Sequence, residues 1–429
     1  MVLILPCSTL SHRLQAEAAG YAEGFLTRKE ITKYYQEFIH RDLCGVSADF
    51  CRWTREMLSR QRRWQEEQIR LKGQEDPYWE QVGLFYVQMD ALKQGWQARS
   101  ASEGDSVPEN FDLNWFADFI NFLPDISDYI HQYKAELATK QGVGLRTSLP
   151  TLPKPAVPSC SVLVKHLPTS NQLVVGHATW HDYRALGHRF LKLYSLPYTL
   201  ATGGSVPGHT ISMTSYPGSL YSLDDFYVIS SGLVTTESTL FVYDKSLYER
   251  NTPEGSVWEP VRAMTANRLS RTGSEWGGVF ERANSGTYNN QWMVAETKSG
   301  RLWVTEQLPG KVTSKEVTEQ VRAQGYWASY NRWMHSTNQQ VFFIYHPFQG
   351  SVSKYLLNLW SPRHGDEAWF LVQPRRHPQS SAFQSRAGRC TRRGEYDRPA
   401  SIEQVHEVFH RSTRGLQRQD STSSDCRSR

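Results

Sequence analysis

Apolar side chains recur at helical spacing through roughly the first 140 residues, then give way to short alternating runs. Residues 14–40 are rich in Ala and Glu, repeat apolar positions every three to four residues and contain no Pro, which predicts a helix. Residues 53–72 predict a highly charged helix and residues 78–98 an amphipathic one. Residues 111–138 carry Trp115, Phe116, Phe119, Ile120 and Phe122 at helical intervals, a stripe of the kind that packs a core. The character changes at residues 148–160, where Pro stands at 150, 153, 155 and 158. Proline forbids helix and removes backbone donors, so this stretch reads as an extended, exposed linker. Beyond it, apolar stretches at 161–165 and 172–179 flank Pro-Thr-Ser-Asn at 168–171 and predict a hairpin. Further strands are predicted at 226–229, 239–243, 291–295, 302–306 and 340–345, and a helix at 183–194. A helical first part and a strand-built second part imply an α+β fold.

Composition sharpens this picture in three places. Hydrophobic residues make up 39% of the 429, enough for a sizeable core, yet no apolar run approaches the ~20 residues of a membrane helix. No period of about 20 to 50 residues repeats, which argues against a solenoid. The net charge of +5 is uneven: residues 373–429 hold twelve Arg, no Lys and six acids, or +6, so the other 372 residues sum to −1. The body is near neutral and no nucleic-acid partner is expected. Four segments follow: a helical part (1–147), the linker (148–159), an α+β body (160–372) and a basic, disordered tail (373–429). The N-terminus lacks a basic region and has only a stub of apolar residues, so it reads as a poor signal peptide.

The six cysteines (Cys7, Cys44, Cys51, Cys160, Cys390, Cys426) are too scattered for a zinc ribbon. A lone buried cysteine is usually inert, but Cys160 ends the linker and opens the hairpin. That layout suits a chain cut between Ser159 and Cys160. The cut would free an α-amine, whose pKa near ~8 lets it serve as general base beside the thiol. A rival motif lies in the tail, where His406-Glu-Val-Phe-His410 places two imidazoles and the Glu407 carboxyl as a zinc site would. No third ligand follows at the extended metalloprotease spacing. Asp224 and Asp225 are adjacent acids; on a strand they would point to opposite faces and share no site.

The motif strings add a resemblance. Residues 159–168, Ser-Cys-Ser-Val-Leu-Val-Lys-His-Leu-Pro, and 176–183, Gly-His-Ala-Thr-Trp-His-Asp-Tyr, resemble the phospholipase B-like family. So do Thr-Ser-Tyr-Pro-Gly-Ser-Leu at 214–220, Ser-Leu-Asp-Asp-Phe-Tyr at 222–227 and Ser-Ser-Gly-Leu-Val-Thr-Thr-Glu-Ser-Thr at 230–239. Asn-Ser-Gly-Thr-Tyr-Asn-Asn-Gln-Trp at 284–292 and Tyr-Trp-Ala-Ser-Tyr-Asn at 326–331 extend the likeness, which covers roughly residues 11–363.

The resemblance implies an αββα fold of the N-terminal-nucleophile type, matured by self-cleavage between Ser159 and Cys160 into fragments that stay associated. It implies removal of fatty acyl chains from phospholipids or related lipids, with Cys160 as nucleophile and no metal or cofactor. His177 and Trp180 stand where related bile-salt-type hydrolases keep an Arg and an Asp. Asn284, or alternatively Asn289, stands where they keep an oxyanion-stabilising Asn. A lysosomal or extracellular location and a Cys44–Cys51 disulfide are implied as well. The chain starts inside the family's pattern, contains no Asn-x-Ser/Thr sequon and exchanges the family's last segment for the Arg-rich tail, so truncation or alteration at both ends is expected. The alternatives are an inactive lipid-binding relative and a zinc hydrolase using His406 and His410.

Overall fold

The computed structural model describes residues 1–6, 8–39, 47–103, 111–141, 160–170, 172–180, 183–200, 203–242 and 244–334. The expected linker, the strand at 340–345 and the whole tail, including His406, Glu407 and His410, lie outside them.

Strand β1 (Val2–Ile4) precedes helices α1 (His12–Leu26) and α2 (Arg28–Tyr34), and α2 runs on into a π-helical turn at Tyr35–Ile39. Three long helices follow, α3 (Ala48–Lys72), α4 (Pro77–Glu103) and α5 (Leu113–Gln141). Then come β2 (Ser161–Leu167), β3 (Gln172–Ala178), the single turn α6 (Tyr183–Leu186), β4 (Phe190–Ser195), β5 (Thr210–Ser215), β6 (Phe226–Ile229) and β7 (Leu233–Thr239). Helices α7 (Glu259–Leu269) and α8 (Gly273–Glu281) lead to β8 (Asn290–Glu296), β9 (Arg301–Leu308), β10 (Lys311–Glu316), α9 (Thr318–Gln324) and β11 (Tyr326–Ser329).

The strands form an eight-stranded sheet, ordered β1-β4-β5-β6-β7-β8-β9-β10, and a three-stranded sheet, ordered β11-β2-β3. Val162, Val164 and Trp327 of the small sheet pack on Met293, Ala295, Leu302 and Val304 of the large one. The large sheet's other face meets the helices, through Tyr227, Trp292 and Val294 against Val261, Met264, Trp276 and Phe280. The fold is α+β, as expected. Of the αββα arrangement the described residues supply the two sheets and the helical layer behind the larger one.

Being covered on both faces, the middle strands lose the alternation that marks a half-exposed strand. All seven residues of β8 are buried. On β7, the Thr235 hydroxyl donates to Asn267 Oδ1 on α7, while the Ser238 hydroxyl meets Ser329 on β11.

Several local expectations are corrected. The helix read over 14–40 breaks at Thr27, whose hydroxyl and N–H both donate to the Glu23 carbonyl. No Pro or Gly marks that break. The stretch 183–194 is helical only at Tyr183–Leu186; from Phe190 it is β4, whose inward positions include Lys192 and Tyr194. The strand buries Lys192, so its inward face is not purely apolar. The strand read at 239–243 lies earlier, at Leu233–Thr239. Helix α4 is buried on nearly every side rather than along one stripe. The apolar N-terminal stub is an edge strand, pairing in parallel with β4. Among the described residues no helix is long and apolar enough to cross a membrane.

Candidate functional site

Cys160 stands immediately before β2, at the end of the small sheet that abuts β7. The register pairs Ser161 with Ala178 and Val162 with His177, so the residues after β3 lie opposite the cysteine. The backbone N–H of Trp180 donates to the Cys160 sulfur. That bond favours the thiolate, but burial outweighs it, and the negative charge of Asp225 adds to burial. Together they push the thiol up to about 12. Trp180 itself is 52% exposed. Trp180 is thus brought to Cys160 through its main chain, while His177 stands opposite Val162 on the paired strand.

His177 lies on the inward face of β3 and joins the two sheets. Its Nε2 donates to the Glu237 carbonyl of β7 at 3.0 Å, which leaves Nδ1 as the acceptor of the neutral ring. The Thr179 hydroxyl sits 3.1 Å from that Nδ1 and 3.2 Å from the Asp224 carbonyl. Burial lowers the imidazole's pKa, against the opposing pull of the Glu237 carbonyl.

The reading of Asp224 and Asp225 as strand residues sharing no site is corrected. They occupy the turn before β6, with Asp225 at φ +52°, and both act on Cys160 electrostatically. Their hydrogen bonds do diverge. Asp224 accepts from the Tyr216 hydroxyl at 2.8 Å and pairs with Arg189 at 2.7 Å. Asp225 Oδ2 accepts from the Tyr288 hydroxyl at 2.7 Å. That hydroxyl is also 3.0 Å from Glu237 Oε1. Asp225 and Glu237 are almost fully buried, and burial raises both carboxyls, each further raised by the other or by Asp224. Glu237 and Tyr288 both feel the Cys160 charge.

Asn284 and Asn289 brace the loop that precedes β8. Asn284 Oδ1 accepts from the Gly286 N–H at 2.8 Å, and its amide donates to the Leu308 carbonyl at 2.9 Å. The Asn289 amide donates to the Gly286 carbonyl at 2.9 Å, and its oxygen accepts from Gln307 at 3.3 Å. Gly286 has φ +65°, and a Cβ there would stand 2.1 Å from Asn251 Oδ1, so only glycine fits. Between the two asparagines Tyr288 is held at φ +48°, its N–H donating to Asp128 at 2.8 Å. Both amides are therefore engaged with carbonyls, and the loop they brace presents Tyr288.

Sequence reasoning missed Asp225, Glu237 and Tyr288 as site residues. Each lies inside a motif string that carried the family resemblance, which was the available signal. Ser159 and Cys44 lie outside the described residues. Cys160 is the free cysteine among the described residues.

A family model described as Phospholipase B matches residues 3–344. The chain is 33% identical over 338 residues to a phospholipase B-like 2 protein of Homo sapiens, covering 74% of this chain and 54% of that one. It is 32% identical over 338 residues to phospholipase B-like 1 of Bos taurus (75% and 57%). It is 29% identical over 360 residues to phospholipase-B 81 of Drysdalia coronoides (81% and 62%). The chain spans a little over half the length of these curated relatives.

Proposed function

Because the chain belongs to the phospholipase B family, we propose that it is a lipid acyl hydrolase whose nucleophile is Cys160, exposed as a new N-terminus by cleavage after Ser159. The observation that carries this reading is the setting of Cys160. It is a lone buried thiol with a backbone N–H on its sulfur and paired acids within electrostatic reach, at the junction where the proline-rich stretch meets the small sheet.

In the mature form the thiolate attacks the acyl carbonyl of a phospholipid or related fatty-acyl lipid. An acyl-enzyme forms and the headgroup fragment leaves. The Cys160 α-amine carries the proton, and water releases the fatty acid. His177, fixed between the sheets, lines the acyl site, and Asn284, or alternatively Asn289, offers the developing oxyanion the second N–H of its amide, the one not held by a carbonyl. Trp180 offers an exposed apolar surface where the lipid enters. A Cys44–Cys51 bridge and a lysosomal or extracellular destination belong to the same reading, and the bridge is tested by peptide mapping with and without reductant.

The deciding experiment is a gel of wild type beside Cys160→Ala. Cleavage would give pieces of 159 and 270 residues from the 429-residue chain, held together by their shared core. Cys160→Ala should run as one uncut chain and release no fatty acid from phospholipid vesicles. His177→Ala should slow turnover more than cutting. Identical banding of wild type and Cys160→Ala would end the nucleophile reading.

A further inference from the structure

Before any α-amine exists, the proton leaving the Cys160 thiol needs another destination. His177 is committed, with its Nε2–H on the Glu237 carbonyl and its Nδ1 beside the Thr179 hydroxyl. Asp224 is tied up in its ion pair with Arg189. Within electrostatic reach of the sulfur there remains a buried trio, Asp225, Glu237 and Tyr288.

Three features distinguish this trio from ordinary buried polar groups. First, one Tyr288 hydroxyl stands at hydrogen-bond distance from two carboxyls, 2.7 Å from Asp225 Oδ2 and 3.0 Å from Glu237 Oε1. A hydroxyl has one proton, so both contacts are satisfied only if one acid also carries a proton. Second, Asp225 and Tyr288 are both held in the left-handed region, a strained conformation for a non-glycine residue. Two such residues converge on one hydrogen bond. Third, the Asp225 and Glu237 carboxyls also hydrogen-bond each other side chain to side chain, which two acids can do only when one of them carries a proton.

We propose that Asp225, Glu237 and Tyr288 act as one proton-holding unit for Cys160, taking up the thiol proton as the sulfur attacks the preceding carbonyl and returning it to the departing nitrogen. The inference rests on the reading of Cys160 as a self-cleaving nucleophile. In the step, a bond forms between Sγ and the Ser159 carbonyl carbon while the thiol proton passes to the Asp225 carboxylate. The C–N bond between residues 159 and 160 then breaks, and the same proton goes to the nitrogen. A thioester and a free amine result. Water hydrolyses the thioester to the Ser159 carboxylate and restores the Cys160 thiol. Glu237 retains the pair's other proton and, through Tyr288, keeps Asp225 ionised and oriented. The groups facing the pair are His177 from β3, the Asp224–Arg189 pair beside the turn, and Glu259 from α7.

The test follows conversion of the full chain into its two pieces over time, in wild type, Asp225→Asn, Tyr288→Phe and Glu237→Gln. Asp225→Asn should slow cleavage about 100-fold or more, the usual worth of a general base. Tyr288→Phe should slow it roughly tenfold, the loss of one hydrogen bond to a charged group. Glu237→Gln, which keeps a donor beside Asp225, should cost less than Asp225→Asn, and Asp225→Glu should recover part of the rate. Hydroxylamine, which splits thioesters and spares amides, should not restore cutting to Asp225→Asn, because there the sulfur has not attacked. Wild-type rates in Asp225→Asn, or rescue by hydroxylamine, would overturn the inference. Should Asp225→Asn lose its fold by circular dichroism, Tyr288→Phe decides alone, since it removes only the bridging hydroxyl. An uncut wild type, or a Cys160→Ala chain that is still cut, would sink the underlying reading instead.

Discussion

Lys192 is fully buried, yet its ammonium has three donors and finds three acceptors: Glu23 Oε1 at 2.7 Å, the Tyr216 carbonyl at 2.8 Å and the Ser219 carbonyl at 2.5 Å. Tyr194 donates to the other Glu23 oxygen. The network ties α1 to the large sheet, and its value lies in being complete, since an unpaired buried charge costs far more than a pair. Lys192→Met should therefore destabilise the chain by about 3–5 kcal/mol in urea unfolding, because Glu23 is left charged and unpaired. The double change Glu23→Leu/Lys192→Met should recover most of that loss. A single-variant cost below ~1 kcal/mol would show that water reaches the site. None of this was legible along the chain, where residues 183–194 read as a helix. The same limit applied at Asp225, which reads as a strand acid until its positive φ turns it toward Tyr288. The place of Cys160 at the head of a hairpin was legible because its signal is local: a proline-rich run, a small residue, a cysteine, two short apolar runs.

Helices α1 and α4 approach more closely than side chains allow. A Cβ on Gly20 would stand 2.0 Å from the Gln88 carbonyl oxygen, one on Gly24 1.9 Å from that of Leu92, and one on Gly95 2.0 Å from that of Tyr21. Backbone cannot yield as a side chain can, so Gly20→Ala, Gly24→Ala or Gly95→Ala must push the helices apart and open the aromatic core beneath. Each should cost several kcal/mol and lower the melting temperature sharply. Gly278→Ala is the matched control, because nothing lies within 4 Å of its Cβ on α8. There the gain in helix propensity should stabilise by roughly 0.5–1 kcal/mol. Equal effects at all four sites, read by thermal unfolding, would refute the close-packed crossing. Both helices were legible from periodicity, but their contact was not: a glycine inside a helical pattern signals only lost propensity until a neighbour is known. The middle strands show the converse. Buried on both faces, β7 and β8 carry no alternation, so β7 was read some residues late.

Across the whole molecule, buried acids dominate the response to pH. Burial pushes Asp118, Asp125 and Asp128 each up to about 6, and raises Glu237 and Glu259 as well. An unfolded carboxyl titrates near ~4, so between the two values the folded chain holds protons that the unfolded chain has released. Stability then falls as pH rises through that window. His131, pushed down to about 4 by burial, works the other way over ~4 to 6.5, but among the described residues the raised carboxyls outnumber the lowered histidines. Below about pH 4 pairs such as Asp76–Arg282, where the guanidinium holds the carboxyl low, begin to fail. The melting temperature should therefore be highest near ~pH 5 and fall by several degrees by ~pH 7.5. A scan showing the reverse order would mean that these acids are ionised and solvated in the folded chain.

What the sequence by itself determined is what depends on neighbours a few residues apart. Helical periodicity, the proline-rich boundary, the β2–β3 hairpin and the motif strings that led to the family all belong there. Tertiary structure alone decided which side chains meet. Asp225 before β6, Glu237 on β7 and Tyr288 before β8 reach one point because those strands pair in register and the small sheet closes over them. The physical reason is that a carboxyl's burial, its partners and hence its proton are set by segments distant in the chain. No local pattern of residues encodes that convergence.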